Sequence, residues 1–252
     1  MSTTPEPWDL QPDDSRTADS LRTFIIFCED EHHECIYFQS FEKFVRNLKI
    51  NAIPNVRSKK LNLNATIDTC VQKGLMGFDH NRYIILPGTT EHIWCVYDRD
   101  MESKNWGDIR AQDHIDFDTA IMAGESAGLK IAWSNDVFEL WLLLHFEEVP
   151  TGGILHRDYV YERLTDLFKN QLPKDAEMEE LTANATFNYK TNMKRRDRFI
   201  GQVIPLLKSK TEAAIERAQQ LEATFGPTQQ FHQRNPCTMV HYLVIEILVG
   251  EE

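Results

Sequence analysis

Two acidic loops, each placed directly after an apolar run, carry the residue types best suited to chemistry in this chain. The run LRTFIIFC (21–28) leads straight into Glu29, Asp30 and Glu31, and HIWCVY (92–97) leads straight into Asp98, Arg99 and Asp100. In an α/β sheet the carboxyl ends of the strands collect at one edge, and ligands bind there. Folding the two loops together places Glu29 beside Asp98 and Asp100, three carboxylates that repel unless a cation sits between them. Mg²⁺ or Mn²⁺ is the expected ion, because both take hard oxygen ligands. Such an ion polarises a phosphoryl oxygen and lowers the pKa of a bound water, chemistry that suits phosphodiester hydrolysis or transfer. Acidic residues also stand at strand ends simply to meet solvent, and spacing alone leaves that reading open.

Further residues extend this set. Asn135, Glu139 and His145 form a weaker group on and before a very apolar segment, where Glu139 can brace the acidic site by pairing with a base from the following region. Lys190, Lys194, Arg195, Arg196 and Arg198 fall within nine residues, opposed only by Asp197. They are either a solvated helix face or a surface for a nucleic-acid backbone. Glu34 is read as favouring the positive end of a helix, with Glu31 left open. Adjacent histidines on a helix do not share a face, so at most one of His32 and His33 points inward.

The positioning elements follow from hydrophobic periodicity. The first strand ends near Cys28 and lacks alternation, as a strand covered on both faces does. A helix is predicted over 32–48, from the three-to-four spacing of Ile36, Tyr37, Phe41, Phe44, Val45 and Leu48. Ile53-Pro-Asn-Val-Arg is a candidate edge strand. A helix is expected over 64–74, with Asn64 as its cap and Gly77 as its terminator. Residues 83–86 are strand or loop, and a second buried strand ends at Tyr97. The acidic stretch to Asp118 reads as a loop or linker, followed by a helix over 117–129, a short strand at Lys130, and a helix over 138–146 capped by Asn135 and Asp136. This alternation predicts a mostly parallel α/β domain over 21–149. Pro150 and Gly152-Gly153 interrupt it, and 150–252 reads as a helical subdomain closing with an apolar helix over 238–248. Met1–Ser20, polar and acidic, reads as a disordered tail.

Composition narrows the class. The chain has 252 residues, 42% of them hydrophobic, and a formal charge of −12. That charge argues against a protein that coats DNA by bulk electrostatics, though not against one with a local basic patch. Five cysteines without CxxC spacing read as buried free thiols, and the expected compartment is cytoplasmic. No run approaches membrane-helix length. There is no GxGxxG, GxxxxGK[ST] or GxSxG, so any ATP chemistry belongs to a partner.

The pattern resembles the RloB-like family, whose fold is similar to the Toprim domain of topoisomerases, primases and OLD-type nucleases. CEDEHHECIYF (28–38), VYDRD (96–100), SNDVFELWLLLHF (134–146) and NPCTMVHYLV (235–244) stand in the family's order, and Lys190 after Tyr189 matches a lysine of its helical region. The resemblance implies a Toprim-like sheet with an appended helical subdomain, Glu29, Asp98 and Asp100 organising Mg²⁺, and Glu29 also acting as base or proton shuttle. It further implies a nuclease acting on RNA or DNA in bacterial anti-phage defence. A non-catalytic effector or sensor subunit of a defence complex, with an ATPase or other protein partner, is the alternative; a phosphoryl or nucleotidyl transferase is another. The chain departs from the family pattern at Asp30, His33 and Asp136, where Gly, Thr and Pro are usual.

Overall fold

The computed structural model describes residues 21–55, 61–90 and 92–249. The expected tail over 1–20 lies outside the described residues. In chain order the elements are β1 (Arg22–Cys28), α1 (His33–Gln39), β2 (Leu48–Pro54), α2 (Leu63–Gln72), β3 (Met76–Asp79), β4 (Arg82–Ile85), β5 (His92–Asp98), α3 (Ala111–Ser126), β6 (Lys130–Asn135) and α4 (Glu139–Leu144). A helical block follows: α5 (Arg157–Asp166), α6 (Ala176–Ala183), α7 (Tyr189–Asn192), α8 (Arg196–Arg198), α9 (Ile204–Lys208) and α10 (Thr211–Ala223), then β7 (Cys237–Thr238) and α11 (Val240–Leu248). Five strands form one sheet in the order β2-β1-β5-β6-β7. β1 runs parallel to both β2 and β5, and β6 pairs antiparallel with β7. This mostly parallel sheet with its helices and a C-terminal helical block is a Toprim-like fold with an appended helical subdomain.

The chain divides into two compact units. The first comprises the described residues up to Tyr97, 116–133 and the closing segment from Tyr242. Its core is the pair β1 and β5, where Phe24, Ile25, Ile26 and Phe27 lie beside Ile93, Trp94, Cys95 and Val96, all buried. The unbroken apolar run makes sense because both strand faces are covered; each such side chain contributes about 1.5–3 kcal/mol on leaving water. α1 packs on β1 and β2. Phe27 pairs in register with Cys95, so β1 and β5 run toward the same sheet edge.

Several expectations are corrected in this unit. α1 is about two turns rather than a helix to Leu48: a 3-10 turn follows at Ser40–Lys43, Asn47 takes φ 51°, and Leu48 opens β2. β2 is a seven-residue edge strand, Leu48–Pro54, that begins five residues before the fragment expected over 53–57, of which Val56 and Arg57 lie outside the described residues. Asn62, not Asn64, caps α2 by accepting from Ala65 N at 3.0 Å. Gly74, at φ 70°, sits at the turn beyond that helix, and Gly77 instead lies in β3, which the sequence did not announce. α3 begins at Ala111, six residues before the predicted start, because its first turns are polar and leave no apolar period to read.

The second unit comprises 98–115 and 134–241. Leu140 to Leu144 are all buried, as the apolar density of that segment requires, and α5 and α10 pack on α4. All five cysteines are free and buried. Burial pushes the Cys70 and Cys237 thiols up to about 12. Among the described residues no helix is long and apolar enough to cross a membrane.

Candidate functional site

Glu29 belongs to the first unit, Asp98 and Asp100 to the second. Around Glu29 the backbone is organised by a neighbouring carboxylate. Glu34, buried on α1, accepts from Glu29 N at 2.7 Å and Asp30 N at 3.2 Å. Asp30 Oδ1 accepts from His32 N and His33 N, at 2.6 and 2.7 Å, and so supplies the helix-start acceptor that the missing threonine would have given. Asp30 is absent from the residues with positive φ, so the aspartate is used here as a turn acceptor and not as a glycine substitute. His33 points inward, its Nδ1 3.0 Å from Asp30 Oδ1, while His32 is exposed.

Burial, then the charges of Glu29 and Asp30, raises the Glu34 carboxyl well above the usual range. A raised folded pKa means the native chain holds a proton that the unfolded chain has released. The stabilisation is therefore complete below about pH 4.5, the ordinary glutamate value, and is lost as pH climbs to the folded value. Urea unfolding across this range is expected to show a falling limb of up to about 1.4 kcal/mol per pH unit. Glu34→Gln keeps an acceptor for both amides and should flatten that limb; an unchanged slope would show that Glu34 titrates alike in both states.

In the second unit, the end of β5 is built into a network of hydrogen bonds. Asp98, buried, uses Oδ2 to accept from Phe138 N at 2.8 Å, immediately before α4. Asp100 takes φ 53°, a left-handed conformation that aspartate tolerates better than most residues, and its Oδ1 meets Arg157 Nη1 at 2.6 Å. Arg157 Nη2 also donates to Met101 O at 2.6 Å. Asp136, expected to cap the helix over 138–146, instead accepts from Met101 N at 2.5 Å and from Arg157 N, the first residue of α5, at 3.0 Å. Burial raises its carboxyl pKa. Asn135 likewise caps nothing; α4 begins without a side-chain cap.

Glu139, buried on α4, does pair with a base from the helical region: Lys194 Nζ lies 2.6 Å from its Oε1. Tyr161 Oη donates to Glu139 Oε2 at 3.2 Å. Burial, then the charges of Glu139 and Asp98, pushes the phenol far up, so it stays a donor at every physiological pH. Lys190 and Lys194 both approach the Tyr161 ring, at 5.2 and 5.9 Å from its centroid. Arg195 and Arg196 are exposed, and Arg198 Nη1 donates to Asn192 O at 3.3 Å. His145 is buried, donates through Nδ1 to Trp141 O at 2.9 Å, and burial lowers its pKa to about 4. That is the behaviour of a packed core histidine.

Two quoted motifs turn out to meet. Asn135 Oδ1 accepts from Asn235 Nδ2 at 2.8 Å and from Arg99 Nη1 at 3.2 Å, while its Nδ2 donates to His232 O and Arg234 O, both at 3.0 Å. Asn235 Oδ1 accepts from Leu155 N at 2.6 Å, and Ser134 Oγ and Thr238 Oγ share a hydrogen bond of 3.0 Å. These asparagines weld loops together. The sequence offered no local signal for Arg157, Tyr161 or the bonding of Asp136, because their partners lie tens of residues away along the chain.

Asp98 and Asp100 supply hard oxygen donors of the kind Mg²⁺ takes. In this conformation one oxygen of each is committed, Asp98 Oδ2 to Phe138 N and Asp100 Oδ1 to Arg157, while Asp98 Oδ1 is buried and accepts no hydrogen bond among the described residues; an ion bound through Asp100 Oδ1 has first to displace a guanidinium. Among the described residues no group of three or more His, Cys, Asp or Glu side chains is arranged to hold a metal ion.

Neither the curated proteins nor the solved structures include a match to this chain. A family model described as RloB-like protein matches residues 24–247, and both halves of the fold fall within that span. The chain belongs to the RloB-like family.

Proposed function

We propose that this RloB-like chain is an effector or sensor subunit of a bacterial defence complex, in which the acidic end of β5 is held charge-compensated by cations of its own helices. The carrying observation is the pairing of Asp100 with Arg157 and of Glu139 with Lys194, both at 2.6 Å. Each of these carboxylates already has its charge met by a cation of a neighbouring helix, which supports a role in docking and shape. In this reading the basic segment Lys190, Lys194, Arg195, Arg196 and Arg198 meets nucleic acid, and a partner protein such as an ATPase supplies any energy-driven step.

One observation favours a second reading, a Mg²⁺- or Mn²⁺-dependent nuclease. Asp98 ends β5 and Asp100 follows two positions on, turned by its positive φ. When bound, a divalent ion supplies charge stabilisation at a phosphoryl oxygen and an activated water. This chain's residues would then have to release Asp100 from Arg157, with Glu29 as a candidate base.

The test is cleavage of RNA and DNA by purified protein, with and without Mg²⁺ or Mn²⁺, with product analysis to separate hydrolysis from transfer. The effector reading expects no metal-dependent products. Asp98→Ala is a poor probe, since it also removes the acceptor for Phe138 N. Asp98→Asn retains a carbonyl oxygen there while it removes the charge and replaces the second oxygen by an NH2 group. Metal-dependent cleavage that falls by about a hundredfold or more in folded Asp98→Asn establishes the nuclease instead.

A further inference from the structure

The basic segment contains two kinds of cation. Lys190, Arg195 and Arg196 are exposed and make no ion pair among the described residues; Lys190 meets the face of Tyr161. Lys194 is turned inward, onto Glu139. Two ammonium groups thus stand within 6 Å of one ring centroid, and a carboxylate oxygen of Glu139 is bonded to Lys194. Like charges so placed repel, and a second anion between them would relieve the repulsion. The phenol hydroxyl adds a neutral donor at the same point.

A phosphodiester matches this donor set. It carries one negative charge on two free oxygens, one for each of the two lysines that approach the Tyr161 ring. It also arrives as part of a polyanion, whose released counterions favour exchange of a carboxylate for a phosphate. Arg195 and Arg196 continue the positive path along the same segment. We propose that Lys190, Lys194 and Tyr161 form a phosphate subsite for a nucleic-acid backbone, and that Glu139 is its latch, occupying Lys194 until a phosphate takes its place. This deepens the sensor reading, on which it rests, by naming the ligand and the side chain that reports its arrival: Glu139 loses its cation when the backbone binds.

The experiment is fluorescence anisotropy of labelled single-stranded RNA and DNA oligonucleotides with the full chain, across a NaCl series. Lys190→Gln and Lys194→Gln should each weaken binding and reduce the log–log salt slope by about 0.7, one single-strand phosphate contact. Glu139→Gln should tighten binding, by up to about fivefold at low salt, because it frees Lys194. That gain should vanish in the Glu139→Gln/Lys194→Gln double variant. A gain of equal size with Lys194 already replaced would be a mere net-charge effect and overturns the latch, as does Glu139→Gln binding no better than the wild type. Inorganic phosphate should displace the oligonucleotide more effectively than chloride at equal ionic strength; equal displacement overturns the phosphate subsite. If Glu139→Gln does not fold, an unchanged salt slope in Lys194→Gln alone overturns the proposal. The two failures are distinguishable: metal-dependent products overturn the effector reading and with it the latch's sensing role, whereas a failed latch in the binding series leaves that reading intact.

Discussion

Asn135→Ala is expected to lower the unfolding free energy by about 4 kcal/mol, read from the urea midpoint at constant m-value. The side chain is fully buried and fills both of its roles: two acceptances, from Asn235 and Arg99, and two donations, to the carbonyls of His232 and Arg234. Alanine removes all four bonds; Asn235 Nδ2 keeps Leu155 O, and Arg99 Nη1 and His232 O keep each other, so the cost is about 1 kcal/mol for each lost bond, plus the cavity left in a buried position. Asn135→Asp should be no milder despite its near-identical shape, because it replaces two N–H donors by a carboxylate facing two carbonyls. Ser134→Ala is the internal comparison. It removes one hydroxyl bond to Thr238 and should cost about 1 kcal/mol. If Asn135→Ala costs no more than that, the network contributes little.

The second large effect is expected at Asp136. Its two oxygens accept from Met101 N and Arg157 N, so one side chain ties the segment after β5 to the first residue of α5. Asp136→Ala should cost about 3 kcal/mol, since two backbone amides lose a short, charge-assisted partner. It should also loosen Arg157, whose guanidinium reaches Asp100 from the same backbone position. Hydrogen exchange at Met101 and in the first turn of α5 would show this as faster local opening. Asp136→Asn, which retains one acceptor, should fall between the two. Equal stability of Asp136→Ala and the wild type would show that water replaces the carboxylate without loss.

Much of the fold was legible because burial writes itself into local pattern. The runs at β1 and β5, and the five consecutive apolar residues of α4, have no stable placement other than a covered one. Elements defined by a partner were not legible. β7 has two residues and exists only through its pairing with Ser134 and Asn135, and β3 contains Gly77 and ends in Asp79, poor strand formers held by β4. Leu48 fits the helical period that precedes it, yet it begins β2; tertiary pairing with Arg22 outweighs the local pattern. For the site, strand-end position pointed to Asp98 and Asp100, and Glu139 was expected to find a base, which is Lys194. What those carboxylates hold could not be read, because Arg157 is 57 positions from Asp100 and nothing near it in the sequence marks it. The SN and NP motifs, legible as a family resemblance, serve architecture: each supplies an asparagine to the other.

The five covered cysteines give the molecule an internal clock. A thiolate is the reactive form, and burial holds Cys28, Cys70, Cys95 and Cys237 in their protonated state at neutral pH. An alkylating dye added to native protein therefore has to wait for the packing to part before it can react. Its rate of incorporation follows how often each region breathes, and peptide mapping of the labelled positions would rank those regions without any engineered probe.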